Sequence, residues 1–305
     1  MTHIYFIGDL RAPFIKQNLS ILGSLYDVST FDLSKHATSF KQIPRYLISS
    51  LKETVTIIKS DVVWIWFADY PALPFIIIGR LFKKQIVTNV GGWEVYKAEN
   101  IGYGNQLNPV RGACTRWIIR NSRVVVCPSR SYANITKAVE PQSVVIVIPG
   151  WIEPELLTHP LPEKHGVVTA LCTRSFTDKL KGIPTFIAAT QGMGAEIVVN
   201  IPRDELLDKF RHKKVYCQLS YTESFGMSLL ESMACGCVPV TTDRDALPEV
   251  AGGCGVIVPY GDIEQTRAAI KLAEQMDSIA PRVVAAKYTK DRAQKAIVDL
   301  VNRLC

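Results

Sequence analysis

Glu223 and Glu231 are separated by seven residues in the stretch Tyr221-Thr-Glu-Ser-Phe-Gly-Met-Ser-Leu-Leu-Glu-Ser-Met-Ala-Cys-Gly-Cys-Val-Pro-Val240. Just upstream, Val215-Tyr-Cys-Gln-Leu219 reads as a buried strand, and Leu229, Leu230, Met233 and Ala234 recur at helical spacing. The spacing predicts a helix that begins near Phe225, with Glu223 in the loop before it and Glu231 about two turns inside. The two carboxylates would then lie on the order of 10 Å apart, with the unpaired N–H groups of Phe225, Gly226, Met227 and Ser228 between them. Those N–H groups and the helix dipole attract an anion. Gly226 has a physical reason to be glycine, because a side chain there would hold the backbone away from a phosphate oxygen.

A ligand that matches this layout has a hydroxyl-bearing ring at each end and a negative group in the middle. Ionised carboxylates accept hydrogen bonds from vicinal hydroxyls, so a nucleoside diphosphate sugar fits. The plainer alternative, two glutamates that only solvate a helix end, stays open on spacing alone.

The elements that would position this stretch alternate regularly. Strand-like runs at 4–7, 62–67, 86–90, 124–127 and 144–148 alternate with helical patterns at 13–24, 41–58, 71–83, 107–121 and 129–139. A second series follows, with strands at 167–172, 196–200, 215–219, 238–241 and 256–258 and helices at 182–190, 203–211 and from Phe225. The reading is α/β, with two Rossmann-like domains: 1–160, then 161–285, with a final helical segment 286–305 that could return to the first domain. The Pro-rich stretch Trp151–Pro162 is the expected linker. Ligands of open parallel sheets sit at the carboxyl ends of the strands, so two such domains imply a ligand cleft between them.

Composition excludes several classes. With 48% hydrophobic and 21% charged residues over 305 positions, the chain is an ordinary folded one. Eight cysteines fall mostly within apolar runs and show no paired C-x2-C spacing, which points to buried thiols in a reducing compartment and no metal centre. The apolar window Val62–Phe82 is interrupted by Asp69, Pro71, Pro74 and Arg80 and reads as strand, turn and helix, not as a bilayer span. The first residues, Met-Thr-His-Ile-Tyr-Phe-Ile-Gly-Asp, lack the features of an export signal, so a cytoplasmic chain is expected. Residues 1–150 hold 17 Lys and Arg against 9 Asp and Glu, so the net charge of +7 is concentrated in the first half. Such an excess can attract an anionic membrane surface or a lipid-linked phosphate, and without a nucleic-acid motif no nucleic-acid partner is expected.

The run from Glu223 to Glu231 resembles the E-x7-E signature of retaining glycosyltransferases with the GT-B fold, family 4 (glycosyl transferases group 1). Ala234-Cys-Gly-Cys-Val-Pro-Val240, Leu247-Pro-Glu-Val250 and Gly255-Val-Ile-Val-Pro259 follow in that family's order, closely in the second half of the chain and loosely in the first. The resemblance implies a GT-B architecture and a C-terminal helix that crosses back to the first domain. It implies transfer of a hexose from a UDP- or GDP-sugar to a glycan or lipid-linked acceptor, with retained configuration, no metal and no other cofactor. Arg174 and Lys181 resemble the family's Arg and Lys-Gly pair, which stabilise the charge on the departing diphosphate; Lys179 competes with Lys181 for that place. Glu223 would contact hydroxyls of the transferred sugar, and Glu231 those of the ribose, with Phe225 to Ser228 at the phosphates. Asp243-Arg-Asp245 imitates a metal motif but stands in the wrong setting for one.

The first domain departs from the family pattern. Its loop after the first strand is short, Ile7-Gly-Asp-Leu-Arg-Ala-Pro13, and Gly91 stands where many members carry a histidine. On the acceptor side, Gly8, Asp9, Gly91, Gly92, Trp93 and Glu94 are the expected residues, Trp93 either stacking on a sugar face or packing under the cleft. Two alternatives follow from the resemblance: a sugar-nucleotide epimerase of the same fold, and a non-catalytic subunit that binds nucleotide sugar. Peripheral attachment to the inner face of a membrane is a further expectation.

Overall fold

The structure, a computed structural model, describes residues 1–35, 43–171 and 177–305. It divides into two compact units, Met1–Ile148 with Gln294–Cys305, and Pro149–Ala293. Each is built on one parallel sheet.

In the first unit the elements run β1 (His3–Gly8), α1 (Pro13–Leu25), β2 (Asp27–Asp32), α2 (Ile43–Lys52), α3 (Thr54–Lys59), β3 (Val62–Trp66), α4 (Leu73–Leu81), β4 (Gln85–Asn89), α5 (Pro109–Asn121), β5 (Val124–Cys127), α6 (Arg130–Val139) and β6 (Val145–Val147). The six strands lie in the order β2-β1-β3-β4-β5-β6, and every pair is parallel. Ile4, Tyr5, Phe6 and Ile7 are all buried, as are Val62 to Ile65, which is why these strands read as continuous apolar runs: helices cover both sheet faces. The edge strand β2, Asp-Val-Ser-Thr-Phe-Asp, buries only Phe31 and so carries no apolar run by which the sequence could reveal it.

The helix expected over 41–58 is two helices; its first two residues, 41 and 42, lie outside the described residues. The break falls at Glu53, whose N–H donates to the Ser50 carbonyl three residues back at 3.3 Å, and beside it the Thr54 hydroxyl donates to the Leu51 carbonyl at 2.6 Å.

The second unit runs α7 (Glu155–Thr158), β7 (Val167–Leu171), α8 (Thr177–Leu180), α9 (Ile183–Ala189), β8 (Ala195–Val199), α10 (Arg203–His212), β9 (Val215–Gln218), α11 (Met227–Ala234), β10 (Val238–Thr242), α12 (Leu247–Ala251), β11 (Val256–Val258), α13 (Ile263–Gln275) and α14 (Ile279–Ala285). Its five parallel strands lie in the order β11-β10-β9-β7-β8. One apolar cluster, with Phe210, Tyr216, Leu229 and Met233, and another, with Phe186, Val240 and Ile270, form its core. Residues 149–160, placed by the sequence reading in the first domain, pack with the second unit because Ile152 and Leu156 are buried in the first of these clusters. The last helix, α15 (Lys290–Leu304), crosses the division at Gln294. Among the described residues, no helix is long and apolar enough to cross a membrane.

Candidate functional site

In the second sheet β8 lies on one side of β7 and β9 on the other, so the chain reverses its progression across the sheet between β7 and β9. Outside the carboxyl ends of strands at such a reversal, open parallel sheets bind their ligands. The chain leaving β7 leads to Lys181, and the chain leaving β9 leads to Glu223.

The two segments are stitched together by backbone. Tyr221 N–H donates to the Leu180 carbonyl at 2.7 Å. Gly182 has φ 68°, and a Cβ there would stand 2.0 Å from the Leu219 carbonyl oxygen, so only glycine allows the approach. The outcome is an ion pair: Lys181 Nζ donates to Glu223 Oε2 at 2.6 Å, with both side chains mostly buried. The same oxygen accepts from Gln218 Nε2 at 3.2 Å and Ser220 Oγ at 3.4 Å. Gln218 is itself fixed, because its Oε1 accepts the hydroxyl of the fully buried Tyr216 at 2.7 Å. The Glu223 carboxylate is thus oriented by its strand as well as by the lysine.

Helix α11 starts at Met227, two residues later than the spacing predicted, because Gly226 takes φ 95° and ψ 63° as its N-cap. Gly226 offers no side-chain cap, so the first turn of α11 is left to other partners. Phe225 is pulled into the core, its ring 5.5 Å from that of Tyr288 and edge-on to it, which fixes the loop from below. Met227 packs against the same core, and the space over Gly150 is filled by the Met227 sulfur and the Phe225 ring. Ser228 follows in the first turn and is partly exposed. Glu231 is buried at 7% exposure and accepts from Arg203 Nε at 2.7 Å. Burial pushes its carboxyl up, and the Arg203 guanidinium opposes that shift.

Arg203, Gln218 and Ser220 were not foreseen. Arg203 opens α10 directly after β8, at a carboxyl strand end, and that position was its only signal. Arg174 lies outside the described residues. Of the two competing lysines, Lys181 reaches Glu223, while the side chain of Lys179 is exposed and its carbonyl accepts the Tyr260 hydroxyl at 2.7 Å. Asp245 accepts the Thr222 hydroxyl, and Asp243 lies 3.5 Å from Arg244, whose guanidinium covers the rings of Tyr221 and Tyr260 at 5.1 and 5.9 Å. Among the described residues, no group of three or more His, Cys, Asp or Glu is placed to hold a metal ion.

The first sheet reverses between β1 and β3, and the residues expected on the acceptor side lie at or just after the carboxyl ends of β1 and β4. Gly8 ends β1, where a Cβ would meet Trp66 Cβ at 3.2 Å and Ile15 Cγ2 at 3.3 Å. Asp9 pairs with Arg11 through Nη2 at 2.8 Å, and the Arg11 hydrogen bonds hold its carboxyl below the usual range. Phe67, after β3, adopts φ 74°. Its ring fills the space a side chain at Gly91 would need, 2.2 Å from the position of that Cβ. Glu94 is buried and accepts the N–H groups of Ala68, Gly91 and Gly92 at 3.2, 3.1 and 2.8 Å, so it holds this loop from within. Burial pushes the Glu94 carboxyl up, against those three bonds. Gly92 takes φ 132°. Trp93 is half-exposed, edge-on to Tyr103 at 4.7 Å, and its indole N–H donates to Asn105.

Residues 191–292 match the family model of glycosyl transferases group 1. Over 78 residues the chain is 31% identical to the O-antigen chain mannosyltransferase B of Escherichia coli, a match that takes in 26% of this chain and 20% of that protein. Among solved structures, a sucrose-phosphate synthase from Thermosynechococcus elongatus superposes with a TM-score of 0.77 at 15% identity, over 100% of this chain and 99% of that one. HepE from Anabaena, solved with UDP and glucose, gives 0.78 at 12% identity over 99% and 100% of the two chains. The fold is that of GT-B glycosyltransferases.

Proposed function

We propose that this chain is a glycosyltransferase that moves a hexose from a UDP- or GDP-sugar to a glycan or lipid-linked acceptor, with retention of configuration and without a metal ion. The observation that carries the reading is the Lys181–Glu223 pair beside the uncapped start of α11, at the reversal point of the second sheet. As the glycosidic bond to the diphosphate breaks, negative charge grows on the β-phosphate. A fixed cation at Lys181 and the N–H groups of Gly226, Met227 and Ser228 at the start of α11 stabilise that charge more in the transition state than before it. Arg174 is assigned to the same task from the sequence.

Glu223, held in place by Gln218 and Ser220, accepts hydroxyls of the hexose, while Glu231 accepts those of the ribose. The acceptor attacks the face from which the diphosphate leaves, and a departing phosphate oxygen takes its proton. A glycan acceptor is supported by the match to an O-antigen mannosyltransferase, and a hexosyl donor by the likeness to a protein solved with UDP and glucose. Peripheral attachment to the inner face of a membrane would bring the chain to a lipid-linked acceptor.

The test is donor turnover by the purified chain against a panel of UDP- and GDP-hexoses, with and without glycan acceptors. Nucleoside diphosphate should appear only when an acceptor is present, with the product anomer matching the donor. Conversion of the donor to its epimer without acceptor, or tight donor binding with no turnover on any acceptor, would overturn the proposal.

A further inference from the structure

The layer formed by α2, α3, α4 and α5 is built inside out. The steps β2 to β3, β3 to β4 and β4 to β5 all move the same way across the sheet, so right-handed crossovers put these helices on one face, where α4 packs against each of the others. A surface helix ordinarily turns its polar residues to water. In α2, Ser50 is fully buried and donates to the Tyr46 carbonyl at 2.9 Å, while Leu47, Ile48 and Leu51 face solvent at 45%, 56% and 61% exposure. The stripe continues through Val55 on α3, and Ile77 and Leu81 add to it on α4, the last at 73% exposure. Isolated exposed apolar residues need no explanation, whereas an array on adjacent helices marks an interaction surface.

Charge says what covers it. Between Ile43 and Lys84 the sequence has six Lys and Arg against three acids. All three acids are engaged internally: Glu53 accepts the Thr56 hydroxyl, Asp61 accepts His3 N–H, and Asp69 pairs with Arg111. Arg45, Lys52, Lys59, Arg80 and Lys83 form no ion pair among the described residues. Apolar side chains interleaved with free cations match the acyl boundary and headgroups of an anionic bilayer. A second copy of the chain fits less well, since a two-fold contact would set the same cations against each other.

We propose that the outer surface of this helix layer docks on an anionic lipid membrane, with Leu47, Ile48 and Leu51 entering the interface and the surrounding lysines and arginines at the headgroups. The proposal deepens the membrane part of the functional reading and rests on none of its chemistry. It places the first unit, with the acceptor-side loops, at the surface where a lipid-linked acceptor resides.

The experiment is flotation of the full chain with phosphatidylcholine vesicles, with and without phosphatidylglycerol, at low and high salt. Binding is expected only with phosphatidylglycerol, and high salt should weaken it. Ile48→Glu/Leu51→Glu should lose binding by about tenfold or more. Lys52→Ala/Lys59→Ala/Lys83→Ala should lose about fivefold per residue at low salt. Should the glutamate variant fail to fold, the lysine variant carries the test, because its side chains are exposed. No retention on anionic vesicles at low salt would overturn the proposal, as would undiminished retention in both variants. So would self-association in sedimentation that Ile48→Glu/Leu51→Glu abolishes, since a second copy would then cover the surface. Donor-induced stabilisation measured on the same samples keeps the two claims apart, because it survives a failure of membrane docking alone.

Discussion

Lys181 and Glu223 meet at 2.6 Å although they lie 42 residues apart, on segments that follow two different strands. Their pairing holds a cation and a carboxylate in register at the sheet's reversal point before any ligand arrives. Lys181→Met and Glu223→Gln should each lower kcat/KM by about a hundredfold or more. Melting temperature should fall by only a few degrees. Steady-state kinetics beside a thermal melt checks this; loss of fold with unchanged turnover per folded molecule would make the pair structural only.

Gly182 and Gly192 both occupy the left-handed region, at φ 68° and 82°, but differ in surroundings. A Cβ at Gly192 meets nothing within 4 Å, whereas one at Gly182 meets the Leu219 carbonyl oxygen at 2.0 Å. Gly192→Ala should cost only backbone strain, about 1 kcal/mol. Gly182→Ala should cost a further 1–3 kcal/mol, roughly the penalty of overpacking, and should move Lys181 off Glu223. Denaturant titration of both variants, with donor turnover, reads the contrast.

On the proposed role of Glu231, donor binding and folding stability should respond oppositely to acid. Its folded-state pKa is raised by burial, so the folded chain takes the proton more readily than the unfolded one. This group's contribution to folding therefore improves as pH falls through that raised value. Donor affinity should weaken over the same window, because a protonated carboxyl loses acceptor capacity for ribose hydroxyls. Titrating nucleoside diphosphate binding downward from neutral pH should show the loss above the ordinary carboxylate range, and Glu231→Gln should flatten it.

Lys164 ties two helix ends together. Its buried ammonium donates to the carbonyls of Phe210, Arg211 and Cys235 at 2.6, 2.6 and 3.0 Å, closing the ends of α10 and α11. Lys164→Met should cost about 2–3 kcal/mol, since charged hydrogen bonds are lost and buried carbonyls left unpaired. Equilibrium unfolding measures it, and donor affinity of the folded variant should be unchanged.

Much of this architecture could be read from sequence where burial writes a continuous apolar run, as in Val62 to Ile65 or Val215 to Cys217. The edge strand β2 could not, because one buried side chain leaves no pattern. Gly226 was legible as a glycine that lets a phosphate approach, but its φ of 95° as the N-cap, which starts α11 at Met227, is a backbone state that side-chain spacing does not encode, and the contact of Phe225 with Tyr288, 63 residues away, is equally absent from local pattern. For the same reason Arg203, which meets Glu231 across 28 residues, escaped notice. Phe67 is the sharpest case: a non-glycine at φ 74° whose ring fills the space over Gly91, invisible until strands β3 and β4 are laid side by side.

The most direct measurement is calorimetric titration of UDP- and GDP-hexoses into the full chain and into Glu231→Ala and Lys181→Met. One donor class should bind the unaltered chain. Each substitution should weaken that binding by about tenfold or more if Glu231 and Lys181 hold the donor as proposed, since each would then remove a charged hydrogen-bond partner. If no nucleotide sugar binds, or if both variants bind as tightly as the unaltered chain, the donor site is not at the β7–β9 reversal.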